Sequence, residues 1–264
     1  MKGIQFAILR CGVGVPDLKA VDEGAWYYCV LIKHPTAGYL MYDVGVGPAD
    51  DSFRRPEAHI KQCPLGITRD EYLDKNLEKL GLTVNDINGI IISHCHWDHF
   101  GGLTFFKGTE AIKNVYVYEE DFKQGLMQSH RTAKGYVEPC DFYYRWNFDV
   151  EGAEFKILPG DCEPFPGIEL KVLKGHTKAG VMCMVLHAED GTYIFTSDTI
   201  PRRENYEDPD GNVHFTTIDV DAFKQSVEIV KELEKKYHAT MFFPHDDGTT
   251  GEYKPFFRGN AKES

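Results

Sequence analysis

The chain has 264 residues, of which 42% are hydrophobic and 27% charged, the balance of a globular protein able to bury a substantial core. A formal net charge of -12 excludes nucleic acid and anionic membrane surfaces as partners, because neutralising phosphates takes clustered Lys and Arg. No apolar run approaches the roughly 20 residues that span a bilayer.

Met1 to Phe6 opens directly into a strand-like run and lacks the long apolar stretch and cleavage site of a signal peptide. Residues 27–32 form a buried-strand run, His34-Pro35-Thr36-Ala37-Gly38 supplies turn residues, and residues 39–44 form a second strand. The two make a predicted hairpin ending in Asp43-Val44-Gly45. Residues 67–80 read as a helix, with Thr68 and Glu71 as a capping box, an apolar stripe of Tyr72, Leu73, Leu77 and Leu80, and Gly81 as the stop. Ile90-Ile91-Ile92 suits a central strand.

Further strands are predicted over residues 114–118, 154–158, 170–173, 181–186 and 192–196. An amphipathic helix follows over 221–237, with Phe223, Val227, Val230 and Leu233 on one face, and a last buried strand over 239–243. Residues 119–150 read as aromatic-rich and irregular, with Phe142, Tyr143, Tyr144 and Trp146 forming either a lid or plain packing. With no repeat, linker or low-complexity stretch, residues 1–264 are expected to form a single domain. The mixture of hairpins and helices in both halves favours α/β layers, stacked sheets with helices outside, over a simple βαβ series.

The informative segment is Ser93-His94-Cys95-His96-Trp97-Asp98-His99. Four potential metal ligands fall within six residues directly after an apolar strand, and imidazole and carboxylate suit zinc and its first-row neighbours. In extended backbone His94 and His96 point to one side, and a turn at Trp97 would bring Asp98 and His99 to a second position. The spacing thus suits two adjacent metals. Cys95 turns away and reads as a packing residue. Gly175-His176-Thr177, Ser197-Asp198-Thr199 and Pro244-His245-Asp246 each follow a predicted strand and offer further ligands.

H-x-H-x-D-H, a distant Gly-His, then Ser-Asp and a late His form a series that resembles the metallo-β-lactamase superfamily. The resemblance implies a four-layer αβ/βα sandwich with its site at one edge of the two sheets. It also implies one metal on His94, His96 and His176, a second on Asp98, His99 and His245, and the carboxylate of Asp198 bridging both. Two divalent cations about 3.5–4 Å apart acidify a shared water and polarise the carbonyl it attacks. Zinc is the expected metal, with iron, manganese and cobalt accepted by the same ligands. Asp98 is the candidate catalytic residue, orienting the nucleophile and moving its proton. Asp43 and Thr177 are candidates for orienting the imidazoles.

Within the superfamily the chain resembles the N-acyl-homoserine lactonase group, which implies hydrolysis of a lactone or related small ester. Several members of that group carry, three residues after the bridging aspartate, a tyrosine whose hydroxyl supports the substrate carbonyl. Here the position holds Pro201, which cannot donate. Tyr206 and His214 are the candidate replacements, and Trp97 and Phe100 are candidate apolar contacts to substrate, with packing explaining the last two equally well.

Thioester hydrolysis of the glyoxalase II type would use the same ligands, but only Lys254, Arg258 and Lys262 stand in the C-terminal region to grip glutathione. Phosphodiester cleavage conflicts with the acidic chain. A non-catalytic metal-binding protein would need fewer ligands than are present. Seven cysteines without a C-x-x-C pair point to reduced thiols and a cytoplasmic protein. The pattern specifies no oligomeric state.

Overall fold

The computed structural model describes residues 3–14, 25–48, 67–129 and 142–246. Eleven strands among them form two mixed sheets. The first runs β1 (Gln5–Gly14), β2 (Ala25–His34), β3 (Gly38–Tyr42), β4 (Ile87–Ile91), β5 (Val115–Tyr118) and β6 (Phe155–Leu158) in spatial order. The second comprises β7 (Cys162–Phe165), β8 (Ile168–Leu173), β9 (Val181–Ala188), β10 (Gly191–Phe195) and β11 (Thr240–Phe242), in the order β11-β10-β9-β8-β7. The predicted hairpin is β2–β3, antiparallel with Val30 opposite Tyr42, while β4, β5 and β6 continue the sheet in parallel.

Side-chain alternation builds the layers. From β9, Met182, Met184 and Leu186 enter the space between the sheets, where they meet Phe6 and Ile8 of β1 and Val30 and Ile32 of β2. The intervening Val181, Cys183 and Val185 face outward onto Phe223, Val227, Val230 and Leu233. Those four belong to a long helix, Val220–Tyr237, capped where the Asp219 carboxylate accepts from the Ala222 N–H at 3.0 Å. On the other outer face Leu9, Leu31, Ile90 and Val115 pack against Leu73, Leu77, Phe100 and Phe106. The result is helix, sheet, sheet, helix. No helix among the described residues is long and apolar enough to cross a membrane.

Three local expectations change. The helix expected over 67–80 is broken at Tyr72, whose backbone is extended, into a 3-10 turn at Arg69–Glu71 and helix α1 at Leu73–Lys79. The buried Asn76 amide explains the break, because it donates to the carbonyls of Arg10, Glu71 and Tyr72 and ties the chain there to β1. The Glu71 carboxylate still accepts from Thr68 N–H at 3.0 Å.

Secondly, residues 119–150 are not irregular throughout. The short helix α2 (Trp97–Phe100) is followed by α3 (Glu119–Ser129), with three acidic residues in its first turn, and by α4 (Arg145–Phe148). Gly125 is kept inside α3 because a Cβ there would lie 2.5 Å from the Phe148 ring and 2.8 Å from that of Tyr143. Residues 130–141 of the candidate lid lie outside the described residues, as do Lys254, Arg258 and Lys262. Thirdly, β7 was not expected, because Pro164 interrupts its pattern. It lies at the edge of its sheet, where a missing N–H is tolerated.

Candidate metal centre

Every predicted ligand lies just beyond the carboxyl end of a strand. His94 and His96 follow β4, and α2 begins at Trp97, carrying Asp98 and His99 round. His176 follows β8, Asp198 sits in the 3-10 turn Ser197–Thr199 after β10, and His245 follows β11. Gly102 lets this segment approach the β3 end. Its N–H donates to the Gly45 carbonyl at 2.9 Å, and a Cβ there would fall 2.0 Å from the Val44 carbonyl oxygen.

The seven side chains form two groups, His94/His96/His176 and Asp98/His99/Asp198/His245, and within each the ligand atoms lie within 4.8 Å of one another. Asp198 connects the groups. Its Oδ2 lies 3.5 Å from His176 Nε2 and 3.9 Å from His94 Nε2, its Oδ1 lies 3.0 Å from His99 Nε2, and His245 Nε2 is 3.1 Å from both oxygens. His96 Nδ1 faces His176 Nε2 at 3.1 Å, and Asp98 Oδ2 is 3.7 Å from His99 Nε2. His94 Nε2 is buried without a hydrogen-bond partner, a costly arrangement unless a cation takes its lone pair. The donor set, five imidazoles and two carboxylates in two adjoining groups, fits two divalent cations of the zinc type.

The far edges of the rings are held by the protein. Asp43, in left-handed backbone at φ 59°, accepts from the Ser93 N–H at 2.7 Å, the Ser93 hydroxyl at 2.8 Å and His99 Nδ1 at 2.8 Å. His99 must therefore carry its proton on Nδ1, which leaves Nε2 free to ligate. Ser93 Oγ also reaches His94 Nδ1 at 3.1 Å and accepts from Ser197 Oγ at 2.9 Å. His245 Nδ1 donates to the Trp26 carbonyl at 2.7 Å, and its N–H donates to the Pro201 carbonyl at 3.0 Å. Behind His96, the Tyr143 ring packs edge-on at 4.7 Å and donates its hydroxyl to Asp121 Oδ1 at 2.5 Å. Asp121 Oδ2 accepts from Cys95 N–H at 2.7 Å, so the turned-away Cys95 serves through its backbone.

The electrostatics follow from burial and crowding. Burial, reinforced by neighbouring imidazoles, holds His94 well below the usual histidine range, and burial takes His176 down to about 4. Burial opposes charge at His99 too, but the carboxylates of Asp198, Asp98 and Asp43 outweigh it and raise its pKa. Asp198 is likewise buried, yet His245 and His99 hold its carboxyl well below the usual value. Burial raises Asp98, with the Asp198 charge adding to the shift, and raises Asp121 to about 6.

The other predicted residues divide. Trp97 is buried against the Tyr27 ring at 5.6 Å, and Phe100 is fully buried against Phe148, so both are packing residues. Tyr206 is buried in the cluster beneath the long helix and donates to Glu234 Oε2 at 2.5 Å, away from the ligands. His214 is half-buried and within electrostatic reach of His245, Asp198 and His176. Thr177 closes a turn with Gly180, whose N–H reaches its hydroxyl at 2.9 Å, and His176 Nδ1 has no hydrogen-bond partner among the described residues. Ser93, Asp121 and the Trp26 carbonyl were given no role from the sequence, and Tyr143 was read only as part of the aromatic cluster. Ser93 alone carried a signal, its place directly before His94.

Residues 27–245 match the family model described as the metallo-beta-lactamase superfamily. The chain belongs to that superfamily. Within it, the chain is 28% identical over 180 residues to the N-acyl homoserine lactonase AiiA of Bacillus thuringiensis subsp. kurstaki. That alignment spans 68% of this chain and only 64% of the relative's length, less than two thirds. The N-acyl homoserine lactonase AiiB of Agrobacterium fabrum is 22% identical over 235 residues, which cover 82% of this chain and 81% of AiiB.

Among solved structures, a B. thuringiensis AiiA variant with N-decanoyl-L-homoserine at its active site superposes with a TM-score of 0.75 at 23% identity, covering 97% of this chain and 98% of that one. AidC, a dizinc quorum-quenching lactonase in complex with a product, gives 0.67 at 17% identity, covering 94% and 89%. These likenesses establish the superfamily's αβ/βα sandwich as the fold of this chain.

Proposed function

We propose that this protein is a two-metal hydrolase that opens a lactone of the N-acyl-homoserine type, or a closely related small ester. The observation that carries the reading is Asp198, whose buried carboxylate lies between the two groups, within 4 Å of His94 and His176 of one and of His99 and His245 of the other. One divalent cation would be held by His94, His96 and His176, a second by Asp98, His99 and His245, with Asp198 shared; zinc fits these borderline donors best, and iron, manganese and cobalt are accepted. Bound there, the pair supplies an acidified water and a Lewis acid for the ester carbonyl.

The chain's own residues do the rest. Asp43 and the Trp26 carbonyl hold His99 and His245 with Nε2 inward. Asp98, in the first turn of α2, receives the proton of the attacking water and delivers it to the ring oxygen as the acyl C–O bond breaks. The product is an open-chain hydroxy acid. The lactonase names of the relatives support this substrate class. The free thiols of all five described cysteines support the cytoplasm as its location.

The test is proton release, followed with a pH indicator, on lactones, thioesters and phosphodiesters, using protein purified without chelator. Lactone turnover is expected, falling by about a hundredfold or more in Asp98→Asn. Turnover of thioesters alone would replace the lactone reading, and full activity in Asp98→Asn would remove the proton-transfer role.

A further inference from the structure

The position three residues after Asp198 is Pro201, which has no N–H and whose carbonyl is taken by the His245 N–H. Tyr206 cannot stand in for a donor at the site. Its ring is packed against Phe243, its hydroxyl is committed to Glu234, and burial beside that carboxylate pushes its pKa up. The chain therefore presents its substrate with no phenol from this segment.

The following loop presents an imidazole instead. Its first anchor is Asn205, whose side chain caps the turn after Pro201 by accepting from Arg202 N–H at 3.1 Å and donates to the Asn212 carbonyl at 3.0 Å. Its second anchor is Gly175, the residue directly before the ligand His176, whose carbonyl accepts from the N–H groups of Ile218 at 2.8 Å and Asp219 at 3.2 Å. Between these anchors the Thr217 N–H donates to the His214 carbonyl at 3.0 Å, closing a turn. A backbone held at both ends in this way ties the loop carrying His214 to the residue before His176, and the charges of His245, Asp198, His176 and Arg202 act on the ring.

The orientation of the ring follows from what holds Nδ1. The Thr216 N–H, which can only donate, points at Nδ1 from 3.4 Å, and Thr216 Oγ1 lies 2.8 Å away. Thr216 thus occupies Nδ1, and with its hydroxyl and N–H both donating there the neutral ring carries its hydrogen on Nε2.

We propose that His214 is a substrate-contacting catalytic residue, donating from Nε2 to the carbonyl oxygen of the ester being cleaved. The assignment rests on the lactone reading above. A fixed donor at that oxygen strengthens its interaction as negative charge develops there, so its loss lowers kcat more than it raises KM.

The experiment compares the zinc-loaded full chain with His214→Ala and His214→Gln on two substrates, an N-acyl homoserine lactone and a plain alkyl γ-lactone without an amide. Metal content and melting temperature are read for each, and binding of the ring-opened N-hexanoyl-L-homoserine is measured by calorimetry. The expected result is a loss of at least about tenfold in kcat for His214→Ala on both lactones, with metal content unchanged and substantial recovery in His214→Gln, whose amide also donates. Alanine activity within twofold of the unaltered protein overturns the assignment and leaves the lactone reading standing. A loss confined to the N-acyl substrate overturns it as well, since the contact would then be to the amide. Neither turnover nor product binding in the unaltered protein sinks the lactone reading, and this assignment with it.

Discussion

Asp43→Asn isolates the hydrogen bonds that orient His99, because asparagine matches aspartate in size and tolerates left-handed backbone at φ 59°. The Ser93 N–H, 2.7 Å from Oδ1, can only donate, so the asparagine oxygen must take that place. Its NH2 group then replaces Oδ2, 2.8 Å from both Ser93 Oγ and His99 Nδ1. For that contact to remain a hydrogen bond, His99 must accept at Nδ1 and move its proton to Nε2. Nε2 is the atom 3.0 Å from Asp198 Oδ1, facing the second ligand group, and once protonated it has no lone pair to offer a cation. Two of three bonds to a buried carboxylate are lost or inverted. At about 1.5–3 kcal/mol for each bond to a charged group, partly recovered by rearrangement, the expected stability loss is about 2–4 kcal/mol. Metal binding at the second position should weaken by about 10–100-fold, the usual effect of removing such a support. Metal equivalents after dialysis, competition against a chromophoric chelator, and long-range proton–nitrogen NMR of the His99 ring measure the three effects. A variant that keeps two equivalents with an unshifted chelator midpoint would refute the tautomer argument.

Two further outcomes test the surroundings of the site. Tyr143→Phe removes the hydroxyl donated to Asp121, which burial already raises to about 6, and with it one of the hydrogen bonds that satisfy this buried carboxyl. A loss of about 1–3 kcal/mol in urea unfolding is expected, and a loss below 0.5 kcal/mol would show the bond is replaced by water. His214 is held down to about 3 by burial, with His245, His176 and Arg202 adding to the shift and Asp198 opposing it. The folded state thus binds fewer protons than the unfolded one between about pH 6.5 and 3. Stability from this residue is complete above 6.5 and is lost as pH falls. At pH 5 the gap of about 1.5 units below the unfolded value corresponds to about 2 kcal/mol at most, and about 1 kcal/mol after allowing for the ring's partial exposure. His214→Gln should therefore gain on the unaltered protein by that amount between pH 7.5 and 5, and a constant difference across the two pH values would contradict it.

What the sequence determined by itself was whatever depends on neighbours along the chain. Short apolar runs bounded by turn residues marked β2, β3, β8, β9 and β10, and the 3.6-residue spacing of Phe223, Val227 and Val230 marked the long helix. Four ligands within residues 94–99 announced a metal centre because no structural need gathers them so densely. Asp43 was reachable for the same reason, as the polar end of a buried strand.

Tertiary structure decided the rest, wherever partners are distant in sequence. Asp121 meets Cys95 across 26 residues and Tyr143 across 22, and His245 meets the Trp26 carbonyl across 219. Pro164 hid a strand that is acceptable only because it is an edge, and Asn76 broke a helix whose own pattern was unbroken. Tyr206 and His214 were equal candidates on chemistry. Packing separated them, giving the phenol a carboxylate on the long helix and pinning the imidazole's loop to the residue before His176. A side chain's chemistry is local, but the groups that satisfy or free its polar atoms are chosen by the fold.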